Sequence, residues 1–544
     1  MKPSVAVKKS RLCCRLLCGK AQPFRPSQRE GGKNKAFRLG QLPESRRLSA
    51  QQAAKPRQPI TGGRRFLHTS SHVAARLLSM LVCAHVCALG ALAAEKAPPL
   101  PKDMPPYGPL VPFNAPQGQA LKLDNGLTLW LVPRPGFPKV AFAFAIRGGM
   151  ADDRKDRPGL SELLLATVDQ GTKTRSAKHI AEEIQAAGGD LSGRAQPDAM
   201  VVSTEVLAPK AEAALLVLAD VLQNATFPDD EVALAKRNAA DNLRQQESDP
   251  SFLARRTLAK ALFGDCPYSV VAPTQESIAS TTAAELKQEY ARRFRPDHTL
   301  LVAVGDFDAG VLTASVRKLF GNWTGAAGSG ITALPLAPKT NPHALFFVAR
   351  PGSVQTTLAL ATFGPTRRDP DYAATEVANA IYGGMFGSRL IKNIREDKGY
   401  TYSPSASLQT RREVGVLETR ADVRNEVTGA TLNEIDYELD RMATTSPPAD
   451  EITRAQRYLV GFKAIVFQLQ GSVASELASL WVNGLPPEEL GAESDRIQKV
   501  TVNDVDRAAA KYFPAFRQTI VAVGEEKVVR DQLAPFGLEM QTTP

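Results

Sequence analysis

Arg395 and Tyr402 stand seven positions apart in GGMFGSRLIKNIREDKGYTY (383–402), after a glycine-containing turn and a short helical run. These two residue types at that spacing can serve one reaction. A guanidinium binds the ground-state oxygen of a peptide carbonyl, and a phenol hydroxyl donates to the oxyanion that forms when water attacks. The groups that would activate that water are missing from the chain. On residue types alone, an arginine in an Ile-Arg-Glu-Asp-Lys run is more often a surface charge, and a tyrosine such as Tyr402 more often strand core. Gly383, Gly384 and Gly387, with Phe386 and Ser388 among them, read as a backbone turn, either one shaped for substrate or an ordinary one.

The elements that must position this segment belong to a long chain. Its 544 residues, 43% hydrophobic and 23% charged, favour a globular protein of two or more domains. The net charge of +11 is unevenly placed. Residues 1–94 hold 18 Lys and Arg against 2 Asp and Glu, and residues 95–544 hold 49 against 54. The body is mildly acidic, so the basic total gives no reason to expect nucleic acid as a partner.

Residues 73–94, in which a short apolar run follows Arg76 and is closed by small residues, have the layout of a secretory signal peptide and are too interrupted for a stable membrane span. Residues 1–72 read as disordered or as translation assigned from too early a start, and residues 95–117 as a Pro-rich linker. The expected compartment is the periplasm, and a mitochondrial transit peptide is the alternative for this Arg- and Ser-rich leader. Cys266 is the one cysteine beyond residue 94. It can form no internal disulfide or thiolate zinc cage there and reads as a buried small hydrophobe.

LKLDNGLTLWLV (121–132) reads as a β-hairpin around Asn125-Gly126, and VAFAFAIRGG as a further strand. Helical periodicity follows over 158–170 and 175–188, then a strand pair around 189–206, a helix after Pro209 and a long polar-faced helix from about 228. The half closes on a helix near 281–294 and the apolar strand LLVAVGD. That closing block returns. TTAAELKQEYARRFRPDHTLLVAVGDF (281–307) resembles VTVNDVDRAAAKYFPAFRQTIVAVGEE (500–526), with Phe294 matching Phe513 and Gly305 matching Gly524 at an offset of 219. The repeat predicts two homologous domains, 118–324 and 344–544, joined by a Gly- and Pro-rich hinge at 325–343. Each is expected to be α+β, a mixed or antiparallel sheet covered by helices, forming half of a clam-shell.

In the order and spacing of its blocks the body, residues 118–536, resembles the pitrilysin/insulinase family of zinc metallopeptidases, in the bacterial branch akin to mitochondrial processing peptidase. The blocks are LDNGLTLWLV, RGGMADDRKDRPGLSELLLATVDQGT, DPSFLARRTLAKALFGDCPYS, RPDHTLLVAVGDF and GGMFGSRLIKNIREDKGYTYS. Active members carry an inverted zinc motif, His-x-x-Glu-His, between a Gly-Leu and a Gly-Thr. Gly159-Leu160 and Gly171-Thr172 supply that frame, but the slots hold Glu162, Leu165 and Ala166. Both imidazoles and the base are replaced, and the region of the later ligand, Asp241 and Asn242, offers one carboxylate. His179-Ile-Ala-Glu182-Glu183 resembles a damaged motif but follows the Gly-Thr, and reads as a solvated helix face.

The resemblance reverses the bland reading of Arg395 and Tyr402. In the relatives an arginine and a tyrosine at this spacing hold the substrate backbone and the oxyanion across a chamber from the zinc. Tyr400 stands where a small aliphatic residue is more usual and adds a second phenol. In two-chain members one subunit supplies the zinc motif and the other the Arg/Tyr pair. The resemblance therefore implies a zinc-free subunit, with zinc expected on a paralogous partner and peptides as substrates. The alternative is a non-catalytic binding or assembly protein that retains the fold.

Overall fold

Strand β3 (Lys139–Arg147) is buried on both faces, and its sequence KVAFAFAIR shows how. Phe142, Phe144 and Ile146 point into a core shared with the helices of the first half, while Ala141, Ala143 and Ala145 line the opposite face. Alternation of bulky and small side chains, at the two-residue period of a strand, lets one face fill a core and the other admit a helix at close range. The computed structural model describes residues 113–325, 338 and 340–542, all within one compact unit, Tyr107–Pro544. The leader, the signal peptide, most of the Pro-rich segment and most of the 325–343 linker lie outside the described residues.

The first sheet contains β1 (Gln119–Lys122), β2 (Thr128–Pro133), β3, β4 (Leu191–Ala195), β5 (Ala199–Leu207) and β6 (Thr299–Gly305), in the order β1-β2-β6-β3-β5-β4. The second contains β7 (Leu345–Ala349), β8 (Gln355–Gly364), β9 (Ser405–Thr410), β10 (Gly415–Arg424), β11 (Thr519–Gly524) and β12 (Met540–Thr542), in the order β12-β7-β11-β8-β10-β9. Strands two to six of the first sheet and one to five of the second have the same connectivity. In each, the first and last of the five pair in parallel and the rest antiparallel. The added edge strands differ: β1 runs antiparallel to β2, whereas β12 runs parallel to β7.

The repeat extends to the helix ends. Helix Ala283–Arg293 opens with a capping box of Thr282 and Glu285, and helix Val502–Tyr512 opens with one of Thr501 and Asp504, again 219 residues on. Phe294 and Phe513 both lie buried at the following turn. In the β1–β2 hairpin, Gly126 takes a left-handed φ of 96° and the Asn125 amide donates to the Phe320 and Trp323 carbonyls. Cys266 is only half-buried, packed against the cluster that contains Phe263 and Tyr268, so it is less enclosed than the buried small hydrophobe expected. No helix among the described residues is long and apolar enough to cross a membrane.

The two halves exchange helices. Helix Gln470–Val482, from the second half, lays Val473, Ala474, Leu477, Ala478 and Trp481 against the alanine face of β3 and against Leu300, Val302 and Val304 of β6. Helix Pro250–Phe263, from the first half, covers the equivalent face of the second sheet. There Leu258, Leu262 and Phe263 meet Ala359 and Ala361 of β8 and Val521 and Val523 of β11. Polar contacts follow the exchange. The Asp198 carboxylate accepts from the Tyr268 hydroxyl at 2.6 Å and from the Arg412 backbone N–H at 2.8 Å. The Arg147 guanidinium lies 4.1 Å from the Trp481 ring centre. A charged cluster fixes the exchanged helix to its own half, with Arg367 paired to Glu476 at 2.7 Å and to Glu493, which also meets Lys463.

Leu477→Ala is expected to destabilise the protein by about 2–5 kcal/mol. Hydrogen exchange should speed up in β3 and β6, although the substituted residue belongs to the other half. Beside the charged cluster, burial and the negative charge of Glu493 push the Glu376 carboxyl up to about 7, against the opposing pull of Lys463 and Arg367. The folded chain thus holds a proton there that the unfolded chain, with its ordinary value of 4.5, releases. The associated stability is complete below the unfolded value and is lost as pH rises through the folded one. The Tm is expected to fall between pH 5 and pH 8, and Glu376→Gln to flatten that slope in thermal melts.

Candidate functional site

The segment that carries Arg395 is held from three sides before its guanidinium meets anything. Leu390 and Ile394 are fully buried in the core of the second half. Arg389, also buried, donates through Nη2 to Glu451 at 2.8 Å and through Nε at 3.0 Å, which ties the segment to helix Ala449–Val466. The Asn393 amide donates to Glu434 and Glu438 of helix Thr428–Thr444, both at 3.0 Å, and Lys398 pairs with Glu434 at 3.2 Å. Residues Ile391–Asp397 form wide π-type turns that end at Gly399, whose φ of 63° is left-handed. The chain then reverses, and Thr401 pins it to the end of β10 by donating to the Asp422 carbonyl at 2.7 Å.

This framework puts the Arg395 guanidinium carbon 4.7 Å from the Tyr402 ring centre and 4.9 Å from that of Phe386. Tyr402 is 78% exposed and Phe386 65%, so Tyr402 is not the strand-core residue that its type alone suggests. Both phenols, Tyr400 and Tyr402, line one open concavity of about 540 Å³ with Arg395, and only the Tyr402 ring touches the arginine. Stacking on aromatic rings occupies the faces of a guanidinium and leaves its in-plane N–H donors available. Among the described residues the Arg395 side chain makes no hydrogen bond or ion pair.

Several residues expected to face substrate do something else. None of Gly383, Gly384 and Gly387 takes a left-handed φ. Gly383 and Gly384 lie in the π-type turn Ala380–Gly384, where a Cβ would sit 2.8 Å from Leu390 and Ala406 or from the Asn379 amide. They permit close packing rather than a tight reversal, and the reversal falls on Gly399 instead. Gly387 has open space around it. Ser388 is 1% exposed, and its hydroxyl accepts from the Ile391 backbone N–H, so it starts the helical turn and does not reach solvent. Sequence reasoning also missed Gln355, Asp422 and Arg424, which line the same concavity. They come from β8 and β10, and only the strand register brings them together.

The segment between Gly159-Leu160 and Gly171-Thr172 contributes to a second concavity, about 240 Å³, between helices Leu160–Thr167 and Asp229–Glu247. Glu162 and Ala166 face Asn238, Asn242 and Gln246 across it, while Leu165 is buried against Gly193. Asp241 points elsewhere and pairs with Arg244 on the exposed side of its helix. The surrounding protein, and then the charge of Asp153, hold the Glu162 carboxyl above its usual range, with Arg255 opposing. One carboxylate among amides does not fit a zinc ion that requires three protein ligands, and among the described residues no cluster of three His, Cys, Asp or Glu could hold a metal. His179 is exposed on a helix capped by Ser176, with Glu182 beside Lys178 and Glu183 paired to Arg175.

Residues 132–272 match the family model described as insulinase (peptidase family M16), and residues 280–459 the one described as peptidase M16 inactive domain. The chain belongs to peptidase family M16. An uncharacterized zinc protease of Streptomyces coelicolor is 24% identical over 74% of this chain and 89% of its own length. One of Rickettsia felis is 23% identical over 74% and 96%. The crystal structure of a peptidase M16 inactive domain from Pseudomonas fluorescens aligns with a TM-score of 0.71 at 26% identity, over 75% of this chain and 98% of that one. A protease from Helicobacter pylori shares the fold at 17% identity, with a TM-score of 0.71 over 76% and 100%.

The three-sided anchoring of the M16 Arg/Tyr segment is testable without a substrate. Arg389→Ala leaves Glu451 without its partner and should cost about 1–3 kcal/mol. Hydrogen exchange is expected to rise across 388–402 and to stay unchanged in β3 and β5. Unchanged protection over 388–402 would show that the segment is held by other means.

Proposed function

We propose that this M16 chain is the zinc-free subunit of a two-chain peptidase, in which Arg395 binds a substrate carbonyl and Tyr402 stabilises the oxyanion. The observation that carries the reading is the contrast between its two halves. In one, the slots of the zinc frame hold Glu162, Leu165 and Ala166, a set that cannot complete a metal site. In the other, an arginine without an ion-pair partner is held against Tyr402 in an open concavity. Metal and base would come from a zinc-bearing paralogue, and the apolar run at 73–94 would direct the chain to the periplasm to meet it.

In this division of labour the guanidinium N–H donors of Arg395 engage the carbonyl oxygen of an extended peptide and hold the scissile bond in register. As that oxygen gains charge, the Tyr402 hydroxyl donates to it. A donor aimed at the developing charge lowers the barrier more than it tightens substrate binding.

Co-expression with an M16 paralogue that has an intact inverted motif supplies the test. Zinc is expected in the complex and not in this chain purified alone. Tyr402→Phe should lower turnover of the complex by about 10²–10³-fold while the two chains still co-elute. Unchanged turnover would remove Tyr402 from the reaction. Absence of any complex would favour the non-catalytic binding or assembly role.

A further inference from the structure

Carbonyl binding and oxyanion stabilisation use one arginine and one phenol, yet the concavity holds two of each. Arg424 ends β10 and sits opposite Gln355, the first residue of β8. Both line the cavity with Arg395, Tyr400 and Tyr402. The end of β10 is firmly held. The Asn425 side chain accepts from the Thr356 hydroxyl at 2.8 Å and donates to the Ser353 carbonyl at 2.6 Å.

The buried arginines of this chain are matched by carboxylates: Arg293 by Asp153 and Glu289, Arg367 by Glu476 and Glu493, and Arg389 by Glu451. Arg395 and Arg424 are not. Among the described residues neither guanidinium makes a hydrogen bond or an ion pair. The one carboxylate on the cavity wall, Asp422, accepts from the Thr357 hydroxyl of the neighbouring strand. The cavity therefore presents two guanidiniums and two phenol hydroxyls against a single carboxylate. A guanidinium fork matches the two oxygens of a carboxylate in a way that a single carbonyl oxygen cannot use fully.

We propose that this concavity includes a carboxylate subsite, in which Arg424, beside the carbonyl-binding Arg395, receives an acidic side chain or the C-terminal carboxylate of the bound peptide. The inference rests on the Arg395–Tyr402 cavity being the peptide site. It adds a preference for acidic peptides, and Arg424 as the residue that sets it.

Fluorescence anisotropy on the full chain would use three labelled peptides of one sequence. One is neutral and C-terminally amidated, the second has a free C-terminal carboxylate, and the third is amidated with one internal glutamate. At low salt one or both carboxylate peptides are expected to bind about tenfold more tightly than the neutral one, as suits a charge-assisted hydrogen bond. Which of the two gains identifies the source of the carboxylate. Arg424→Gln should abolish the preference while leaving thermal stability unchanged, since Arg424 is exposed. Arg424→Lys should restore part of it, and added salt should weaken it. Equal binding of all three peptides, lost together in Arg395→Gln, would overturn the carboxylate subsite and leave the carbonyl role intact. A preference that survives Arg424→Gln would also overturn it. Failure of every peptide to bind, both to the chain alone and to its complex with a zinc-bearing M16 paralogue, would overturn both readings.

Discussion

Two alanine-lined sheet faces determine how this chain is assembled. In β3 and β8 bulky residues fill each half's own core, and alanines prepare the opposite face for a helix supplied from elsewhere. A helix lies close to a sheet only where the side chains beneath it are small. Because the covering helices are exchanged, neither sheet is closed by its own half alone. Asp198, Arg147 and the Arg367 cluster then fix the exchanged pieces with hydrogen bonds and charge pairs. A hinge at the 325–343 linker that separated the halves would strip both apolar faces at once. The physical cost of that opposes opening within this chain.

Duplication gave the halves one topology and different chemistry. In the first, helices Leu160–Thr167 and Asp229–Glu247 enclose amides, one carboxylate and an alanine. In the second, the matching region has become wide helical turns that hold an arginine against two aromatic rings. The residues in the slots of the Gly-Leu/Gly-Thr frame suit the fold, because Glu162 and Ala166 lie on a cavity wall and Leu165 packs like any core leucine.

Much of this was legible in the sequence, for physical reasons that can be named. The repeat shows because a capped helix followed by an apolar strand must be specified locally, as Thr282/Glu285 and Thr501/Asp504 demonstrate. The β1–β2 hairpin shows because Asn125-Gly126 encodes a backbone conformation. The pairing of Arg395 with Tyr402 was suggested by resemblance rather than by spacing alone. What the sequence concealed depends on distant partners. Gly383 and Gly384 looked like turn residues, yet their lack of a side chain accommodates Leu390, Ala406 and Asn379. Arg424 reaches the cavity only through its register with Gln355. The helix exchange has no local signature, since an apolar helix face such as that of Leu477 or Leu258 does not specify which sheet it covers.

The exchange also sets an order of events at the ribosome. Helix Pro250–Phe263 is synthesised well before β8 and β11, the strands it covers. Conversely, the alanine face of β3 waits for residues 470–482. Throughout that interval the nascent chain carries both a naked sheet face and a helix with nothing to cover, the kind of surface on which aggregation begins. Cooperative closure of this protein therefore waits until the second half of the chain is available, and until then both apolar surfaces stay open.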